Sequence, residues 1–425
     1  MQTDLQHRIN PNTMRKSIYI IICMLPMLAQ AQSLTLEECK QMAHDNYPAV
    51  KQYDLIELSR DYTLENAQKA WLPQISVSAN AMAFTNVLDA SPAMRQMGLN
   101  MKNWMASGSV VISQNLYDGG QIKSRKEVAS AEANVRNQQL RVSLYELNQR
   151  VEQLYFGVLM LDERLKQTLL LQSDLDIARK GIESMMRGGV ANQSDWDAVR
   201  VEEVKARQAF DAQQASRATY LKMLGIFVGR QLGEETLLAI PPVKDAQREN
   251  TRPELQYYTA QGRLIEAQRR LLNTRLMPTL KVFGMGTYHT KVIDMMKNGL
   301  LAGGLTLSWN IGSLYTRRND IRLLEAQSRQ IDSQRETFLF NNSLQEENGS
   351  GNIDILRRQI EQDEEIVRLR ENIRSKSESK VRLGTESVNE MLRDINAVAQ
   401  ARQQKALHEI ELLRELYALN TIKGE

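Results

Sequence analysis

The amino-acid sequence predicts an α+β fold in which very long α-helices are joined to short β-hairpins. Three observations support this prediction: proline-free stretches that carry a coiled-coil repeat, four segments that alternate apolar and polar residues, and an order of motifs that occurs twice. Because the second half of the chain repeats the motifs of the first, we expect two internal structural repeats.

Long helices are predicted because the prolines are unevenly placed. None of the nine prolines falls between residues 93 and 240 or after residue 278, and proline disrupts helix interiors. From Leu140 to Leu165, leucine and valine recur at alternating steps of four and three residues, the repeat of a coiled coil. A helix from about Gln121 to Met186 would be about 100 Å long, which is longer than the helices of an ordinary helical bundle.

Four segments are predicted to be β-strands because they alternate apolar and polar residues. They are residues 75–81, 104–117, 280–289 and 301–311. A tilted strand needs about ten residues to cross a membrane, and aromatic residues near strand ends are typical of bilayer interfaces. Six aromatic residues have this position: Trp71, Phe84, Trp104, Tyr117, Tyr288 and Trp309. A soluble two-layer α+β sheet would alternate in the same way.

The repeated motifs divide the mature chain into two parts. Proline pairs at 48 and 253 and at 73 and 278 share one spacing of 205 residues, which falls to 193 between the glycines at 119 and 312. Repeat 1 is predicted over residues 32–240, with a helix, a β-hairpin at about 71–117 and a long helical hairpin whose tip lies near residue 189. Repeat 2 is predicted over residues 241–425, with the same order, a β-hairpin at about 276–311 and a tip near residue 384.

Residues 1–31 are predicted to be a secretory signal peptide, with translation starting at the first residue or at Met14. A basic pair precedes a short apolar run that ends in Ala29-Gln30-Ala31, and these are the features of such a peptide. A short buried helix is the alternative. Because the apolar run continues past Cys23, we expect no lipid attachment there. The mature protein is expected to begin near Gln32, outside the cytoplasm.

Composition restricts the class of protein. The 425 residues contain 54 Lys and Arg against 51 Asp and Glu, without the clustered positive charge of a nucleic-acid-binding protein. One of the two cysteines lies in the predicted signal peptide, which leaves Cys39 unable to form an internal disulfide or a cysteine metal cluster. We expect no nucleic-acid partner, no metal and no other cofactor.

The number of strands predicts an oligomer. Four strands cannot close a barrel, and an open sheet in lipid would leave the N–H and C=O groups of its edges unsatisfied. Membrane barrels need at least about eight strands, and a water-filled lumen needs more. Two copies would supply eight strands and three would supply twelve. We favour a trimeric 12-stranded transmembrane β-barrel with four strands per protomer.

The motifs, taken in order, resemble those of the TolC family of outer-membrane efflux proteins over essentially the whole mature chain. The matching segments are Leu72-Pro-Gln-Ile-Ser-Val77, Leu116-Tyr-Asp-Gly-Gly120, Arg252-Pro-Glu-Leu255 and Arg382-Leu-Gly-Thr385. The resemblance implies a homotrimer that contacts outer-membrane lipid and is located in the cell outer membrane. Its 12-stranded barrel would be continuous with a long α-helical coiled-coil tunnel that extends into the periplasm. It implies an exit duct of a tripartite efflux pump or type I secretion system, and no enzymatic activity.

The resemblance also implies partners and the residues that contact them. A periplasmic adaptor (membrane fusion) protein would dock on the two helix tips, and an inner-membrane transporter of RND or ABC type would take part indirectly. The tip residues are Arg187, Gly188, Gly189, Val190, Arg382, Leu383, Gly384 and Thr385. Glycine suits a reversal between antiparallel helices because it tolerates a positive φ.

An acidic residue lies six positions after each tip glycine, Asp195 in the first repeat and Glu390 in the second. In the family, an acidic residue at the position of Glu390 narrows the periplasmic entrance, where three copies would form a ring of carboxylates that favours cations. The alternative is that both acidic residues are solvated helix residues.

Asp195 resembles a family residue that locks the gate. The tyrosine and arginine that partner it in the family are replaced here by Val381 and Glu386. The lock is therefore expected to differ and to use Lys380, Arg382 or Arg393.

The sequence allows two interpretations outside the channel class. A periplasmic coiled-coil scaffold or adaptor protein without a membrane barrel would keep the coiled-coil repeat, with the four strands in a soluble domain. A secreted hydrolase is disfavoured because no nucleophile and base are suitably spaced. The acidic, glycine-containing segment 346–351 lacks the spacing of a calcium-binding loop, and we expect a helix break or bulge there.

Overall fold

The computed structural model describes residues 33–83, 96, 104–243, 249–290 and 298–424. The predicted signal peptide, Phe84 and nearly all of the first hairpin loop lie outside these residues. Helices dominate the described chain, and its strands form one antiparallel sheet. Within the described residues, the longest apolar stretch of any helix falls short of what a membrane-crossing helix requires.

The helices follow one another in chain order, with a short 3-10 turn after the first. They are α1 (Leu36–Asn46), the 3-10 turn (Pro48–Lys51), α2 (Gln52–Lys69), α3 (Gln121–Arg187), α4 (Gln193–Val228), α5 (Pro253–Thr274), α6 (Ser313–Arg382) and α7 (Val388–Lys423). Helices α3 and α6 contain 67 and 70 residues, so each is about 100 Å long. The predicted long helix from Gln121 is confirmed.

Two long helical hairpins, α3–α4 and α6–α7, lie side by side, and α5 packs against both α3 and α6. The seam of the coiled-coil repeat in α3 is the core, as its spacing predicts. It packs against the end of α4 and against α7, and its buried members are Leu140, Leu144, Leu147, Val151, Val158 and Leu161. A second core lies near the helix tips and joins all four long helices.

The predicted helix break at residues 346–351 is wrong. Helix α6 runs through this segment without interruption. A glycine inside a helix costs only about 1 kcal/mol relative to alanine, and neighbouring turns maintain the helix. Gly349 is buried, and a β-carbon there would lie 3.5 Å from the Leu419 side chain of α7, so this glycine belongs to the packed interface of α6 and α7.

The four strands lie where the alternation predicts them. They are β1 (Gln74–Ala83), β2 (Trp104–Tyr117), β3 (Thr279–His289) and β4 (Gly299–Ser308). Their order in the sheet is β1-β2-β3-β4, and every neighbouring pair is antiparallel. The outer edges of β1 and β4 have no strand partner among the described residues, so the sheet of one protomer is open.

Candidate functional site

The tip of each helical hairpin ends in the same helix-terminating motif. After α3, Val190 N–H donates to the Met185 carbonyl at 2.9 Å and Gly189 N–H donates to the Met186 carbonyl at 3.0 Å. This pair of bonds is the Schellman motif, in which the residue after the cap takes a left-handed conformation. Gly189 has φ +74°, and no atom lies within 4 Å of where its β-carbon would be. This position therefore requires glycine because of its backbone conformation, and not because a larger side chain would clash with neighbouring atoms.

The second tip repeats this geometry. Thr385 N–H donates to the Lys380 carbonyl and Gly384 N–H donates to the Val381 carbonyl, both at 3.0 Å, and Gly384 has φ +72°. Arg187, Gly188, Arg382 and Thr385 are exposed. Each tip also exposes one apolar side chain, Val190 at 57% and Leu383 at 78%. The tips are therefore polar turns that each carry a single apolar contact point.

The two acidic residues beyond the tips have a local role that the sequence analysis did not assign. The Asp195 carboxylate accepts from Asn192 N–H at 3.0 Å, and Asp195 N–H donates to the Asn192 side chain at 3.1 Å. Glu390 and Ser387 form the same reciprocal pair, with bonds of 3.2 and 3.3 Å. Both pairs are capping boxes, which satisfy free N–H groups at a helix start. The S-x-x-E and N-x-x-D spacings were the sequence signal for them.

The residues considered for the gate lock have other partners within the protomer. Glu386 accepts from the Ser377 hydroxyl at 2.9 Å and lies 3.5 Å from the Lys380 ammonium. Arg393, which is mostly exposed, lies 3.7 Å from the Glu390 carboxylate on its own helix. Asp195 forms the capping box described above and is not brought to Lys380, Arg382 or Arg393 by any described ion pair.

A charged cluster that the sequence analysis missed joins the two hairpins. Asp174 on α3 accepts two hydrogen bonds from the Arg374 guanidinium on α6, at 2.6 and 3.0 Å. Arg402 on α7 lies 3.6 Å from the same carboxylate and also pairs with Glu371 at 2.6 Å. No periodic pattern identifies such a cluster, because its members are about 200 residues apart in sequence. Bidentate pairs of this kind fix the relative position of two elements.

Two grooves lie beside the tips. One, of about 590 Å³, runs between α4 and α7 and is lined by Val201, Glu202, Leu392 and Asn396, among others. The other lies next to the first tip and is lined by Met186 and Trp196, whose ring is covered by the Arg200 guanidinium at 5.6 Å. Both grooves are open to solvent in the protomer.

The sheet has one apolar face and one polar face. The apolar face consists of side chains that share one side in the strand register: Ile75, Val77, Ala79, Ala81, Ala83, Trp104, Ala106, Val110, Ile112, Leu280, Val282, Tyr288, Leu301, Leu305 and Leu307. The other face, called the polar face, carries the polar residues Gln74, Ser76, Ser78, Asn80, Ser107, Ser109, Ser113, Asn115, Lys281, Thr287, Thr306 and Ser308 among the apolar residues Met82, Met105, Val111, Phe283, Met285, Leu300 and Ala302. In β2, the side chains between residues 107 and 113 are exposed on the apolar face and half-buried on the polar face.

The predicted aromatic residues lie at the two ends of this sheet. Trp104 and Tyr288 are at the end near the hairpin loops, and Trp71, Tyr117 and Trp309 are at the end near the helices. All five are more than one-third exposed. A register shift between Asn115 and Tyr117 makes Tyr117, in place of Leu116, the partner of Leu280. This bulge moves Tyr117 to the apolar face, where the alternation had predicted Leu116.

Within the described part of the chain, no group of three or more His, Cys, Asp or Glu side chains is arranged to hold a metal ion. The candidate functional features of the described residues are therefore surfaces: the helix tips with their grooves, and the two faces of the sheet.

Comparison with known proteins agrees with this geometry. Residues 40–226 match the family model described as outer membrane efflux protein. Among solved structures, VceC of Vibrio cholerae matches with a TM-score of 0.66 at 11% identity, covering 91% of this chain and 96% of VceC. The outer-membrane channel OprN matches with a TM-score of 0.68 at 15% identity, covering 92% of this chain and 90% of OprN. MtrE of Neisseria gonorrhoeae matches with a TM-score of 0.65 at 13% identity, covering 92% and 88%. No curated protein matches the sequence.

At these identities the solved structures establish the fold, and the family model adds a sequence match. The resemblance to outer-membrane efflux proteins is therefore confirmed. The chain has the fold of outer-membrane efflux channels, and residues 40–226, a little under half of its length, also match the sequence model of that family. The soluble-scaffold alternative is set aside.

Proposed function

We propose that three copies of this chain form an exit duct, with a 12-stranded barrel in the outer membrane and a helical tunnel in the periplasm. The observation that carries the proposal is the open, four-stranded sheet with one exposed apolar face. Val77, Leu301 and Leu307 are each more than 70% exposed on that face, and an exposed apolar patch of this kind needs lipid or a partner to cover it.

The dimensions of the sheet suit a bilayer. Thirteen steps along β2 separate Trp104 from Tyr117, which is about 44 Å at 3.4 Å per residue. At a strand tilt of about 45° this corresponds to about 30 Å along the membrane normal, close to the thickness of the hydrocarbon layer. The exposed aromatic residues at both ends of the sheet would then lie at the two interfaces. Trp309 fits this position, because its indole N–H donates to the Leu276 carbonyl at 3.0 Å while the ring stays exposed.

Sharing one barrel among three copies would remove the unpaired edges of β1 and β4. Within one protomer these strands are separated by two others, so they lie about 14 Å apart at about 4.8 Å per strand. A disulfide requires α-carbons within about 7 Å. A β1–β4 crosslink can therefore form only between protomers.

This difference gives a direct test. Single cysteines are introduced along the polar face of β1 and of β4, such as Ser78→Cys with Thr306→Cys, in a Cys39→Ser background. We expect oxidation of the detergent-extracted protein to yield covalent dimers and trimers for at least one register, and conducting channels in planar bilayers. Chains bearing only one of the two cysteines are the control. A purified protein that is monomeric in mild detergent, or soluble without it, would overturn the proposal.

The helix tips are proposed to dock the periplasmic adaptor. Support comes from the exposed apolar side chains of Val190 and Leu383, which project from polar turns, and from the grooves beside them. The rigid Schellman turns at both tips keep these side chains in place without an ordering cost on binding. Leu383→Asp should abolish co-purification with the adaptor while the channel still conducts, and the exposed Leu169→Asp on α3 is the matched control.

Glu390 is proposed to line the periplasmic entrance, with Asp195, Glu386 and Arg393 nearby. Glu390 is about half exposed, and its carboxylate keeps unused acceptor positions after the capping bonds. Three such carboxylates around an axis would favour cations at the narrow end of the duct.

A further inference from the structure

The strands of this protein carry almost no formal charge. β1, β2, β3 and β4 contain no Asp, Glu or Arg, and Lys281 is their single lysine. A charged side chain on the lipid side of a membrane-spanning strand is costly. A single lysine in four otherwise uncharged strands therefore indicates a functional position.

Lys281 lies on the polar face of the sheet. In the strand register it is opposite Asn115 on β2 and Thr306 on β4. Its side chain is exposed, and no ion pair or hydrogen bond of its ammonium group occurs among the described residues. The lysine therefore lies between an amide and a hydroxyl neighbour, with no counter-charge among the described residues.

The helix ends next to the sheet add positive charge at the same level. Residues 66–69, 118–127, 268–275 and 313–320 form these ends, and their acidic residues are Asp118, Glu127 and Asp320. Asp118 is buried and accepts from the Gly120 and Ile122 N–H groups, Glu127 pairs with Arg270 at 2.8 Å, and Asp320 accepts from the Thr316 hydroxyl. The basic residues of these segments are Lys69, Lys123, Arg125, Lys126, Arg269, Arg270, Arg275, Arg317 and Arg318. The junction between sheet and helices is thus strongly positive, although the whole chain is nearly neutral.

We propose that Lys281 of three protomers forms an anion-selecting ring at the base of the barrel lumen, and that the cargo includes organic anions. The inference rests on the proposed trimeric duct. Because the exposed apolar face would contact lipid, the polar face would be the lumen wall, so the ammonium groups would project into the path of the cargo and not toward lipid headgroups.

Phe283 suggests which anions bind best. It follows Lys281 on the polar face, one strand repeat away, and its ring lies beside Gly304 of β4, where a β-carbon would be 3.4 Å from the ring. An ammonium group with an aromatic ring about 7 Å along the strand matches a carboxylate attached to an apolar ring. Benzoate is therefore a suitable probe, with chloride as the reference anion.

The test compares the permeability of anions and potassium in single channels, from reversal potentials in potassium chloride and potassium benzoate gradients. Three charges about 10 Å from the axis, screened at 0.1 M salt, should change the anion-to-cation ratio about fivefold. We expect Lys281→Gln to lower that ratio about fivefold and Lys281→Glu to lower it further, with a larger loss for benzoate. Each variant is also measured in a Glu390→Gln background, so that the entrance does not mask the junction.

Moving the charge controls for structural effects. Thr306 is opposite Lys281 on the same face, with β-carbons about 5 Å apart. Lys281→Gln combined with Thr306→Lys should restore the anion preference, which a merely structural role of Lys281 could not produce. Channels whose anion-to-cation ratio is the same for Lys281, Lys281→Gln and Lys281→Glu would overturn this inference alone. Absence of any channel in the unmodified protein would instead overturn the proposed function.

Discussion

Replacing Glu390 by glutamine separates its two roles, as a helix cap and as an entrance charge. The glutamine side-chain oxygen can still accept from the Ser387 N–H and hydroxyl, both 3.2 Å from the carboxylate, so the capping box is kept. The loss of the charge–helix interaction costs about 0.3–1 kcal/mol. Helix α7 should therefore start at the same residue, and only the electrostatic field changes.

The electrostatic effect is large enough to measure. A cation about 7 Å from three carboxylates gains about 1.8 kcal/mol in water, and screening at 0.1 M salt leaves about half of that. An anion is disfavoured by the same amount, so the cation-to-anion ratio at the entrance changes about 20-fold. We expect Glu390→Gln to lower the potassium-to-chloride permeability ratio severalfold.

The assay is single-channel recording in a potassium chloride gradient, with far-UV circular dichroism as a check on helix content. Ser387→Ala is the matched control, because it removes the cap, at a cost of about 1 kcal/mol, but keeps the charge. If Ser387→Ala changes the permeability ratio as much as Glu390→Gln does, capping and not charge controls the entrance. An unchanged ratio in Glu390→Gln places Glu390 away from the ion path.

The remaining predictions concern stability and reactivity. Burial raises the pKa of Cys39 to about 12, so we expect iodoacetamide to label the folded protein at pH 8 at least 100-fold more slowly than the urea-unfolded protein. Lys40→Met should lower the free energy of unfolding by about 3–5 kcal/mol in urea titrations at pH 8, because it leaves the buried Glu152 carboxylate without the ammonium 2.7 Å away. Burial raises the pKa of Glu152, although the nearby Lys40 ammonium acts in the opposite direction. The stability lost in Lys40→Met should therefore become smaller as the pH falls and Glu152 becomes protonated. Gly384→Ala should destabilise the second tip by about 1–2 kcal/mol, seen as faster hydrogen exchange there, because alanine resists the left-handed backbone.

Each of these predictions has a control variant or a result that would contradict it. Lys40→Met with Glu152→Gln should recover most of the lost stability, and a double variant as unstable as the single one would contradict a buried-charge explanation. Gly181→Ala, at an open position inside α3, should be neutral or stabilising, and equal effects at Gly181 and Gly384 would refute the argument from φ. Rapid labelling of Cys39 in the folded state would mean that α1 opens readily.

Local patterns in the sequence predicted the elements of this fold. The coiled-coil seam from Leu140 and the strand alternation at residues 104–117 each depend on one face of one element being apolar, and periodicity records that property directly. The tip glycines were identified for the same reason, since a reversal with positive φ leaves few other choices. The helix break expected at residues 346–351 was wrong because a glycine-containing segment can stay helical when it is packed against a neighbour.

The contacts between distant parts of the chain could not be predicted in this way. The pairing of Asp174 with Arg374 and Arg402 joins residues that share no local pattern. The bulge that places Tyr117 on the apolar face depends on the register with β3, and one displaced residue changes which side chain reaches that face.

The sequence by itself thus determined the long helices, the four strands, the turning points at residues 189 and 384 and the resemblance to outer-membrane efflux proteins. Only the tertiary structure decided that Arg374 ties the two hairpins together and that Lys281 has no counter-charge on the polar face of the sheet among the described residues. The physical reason is that periodicity and turn chemistry act within about ten residues, whereas ion pairs and strand register depend on how elements far apart in the chain are brought together.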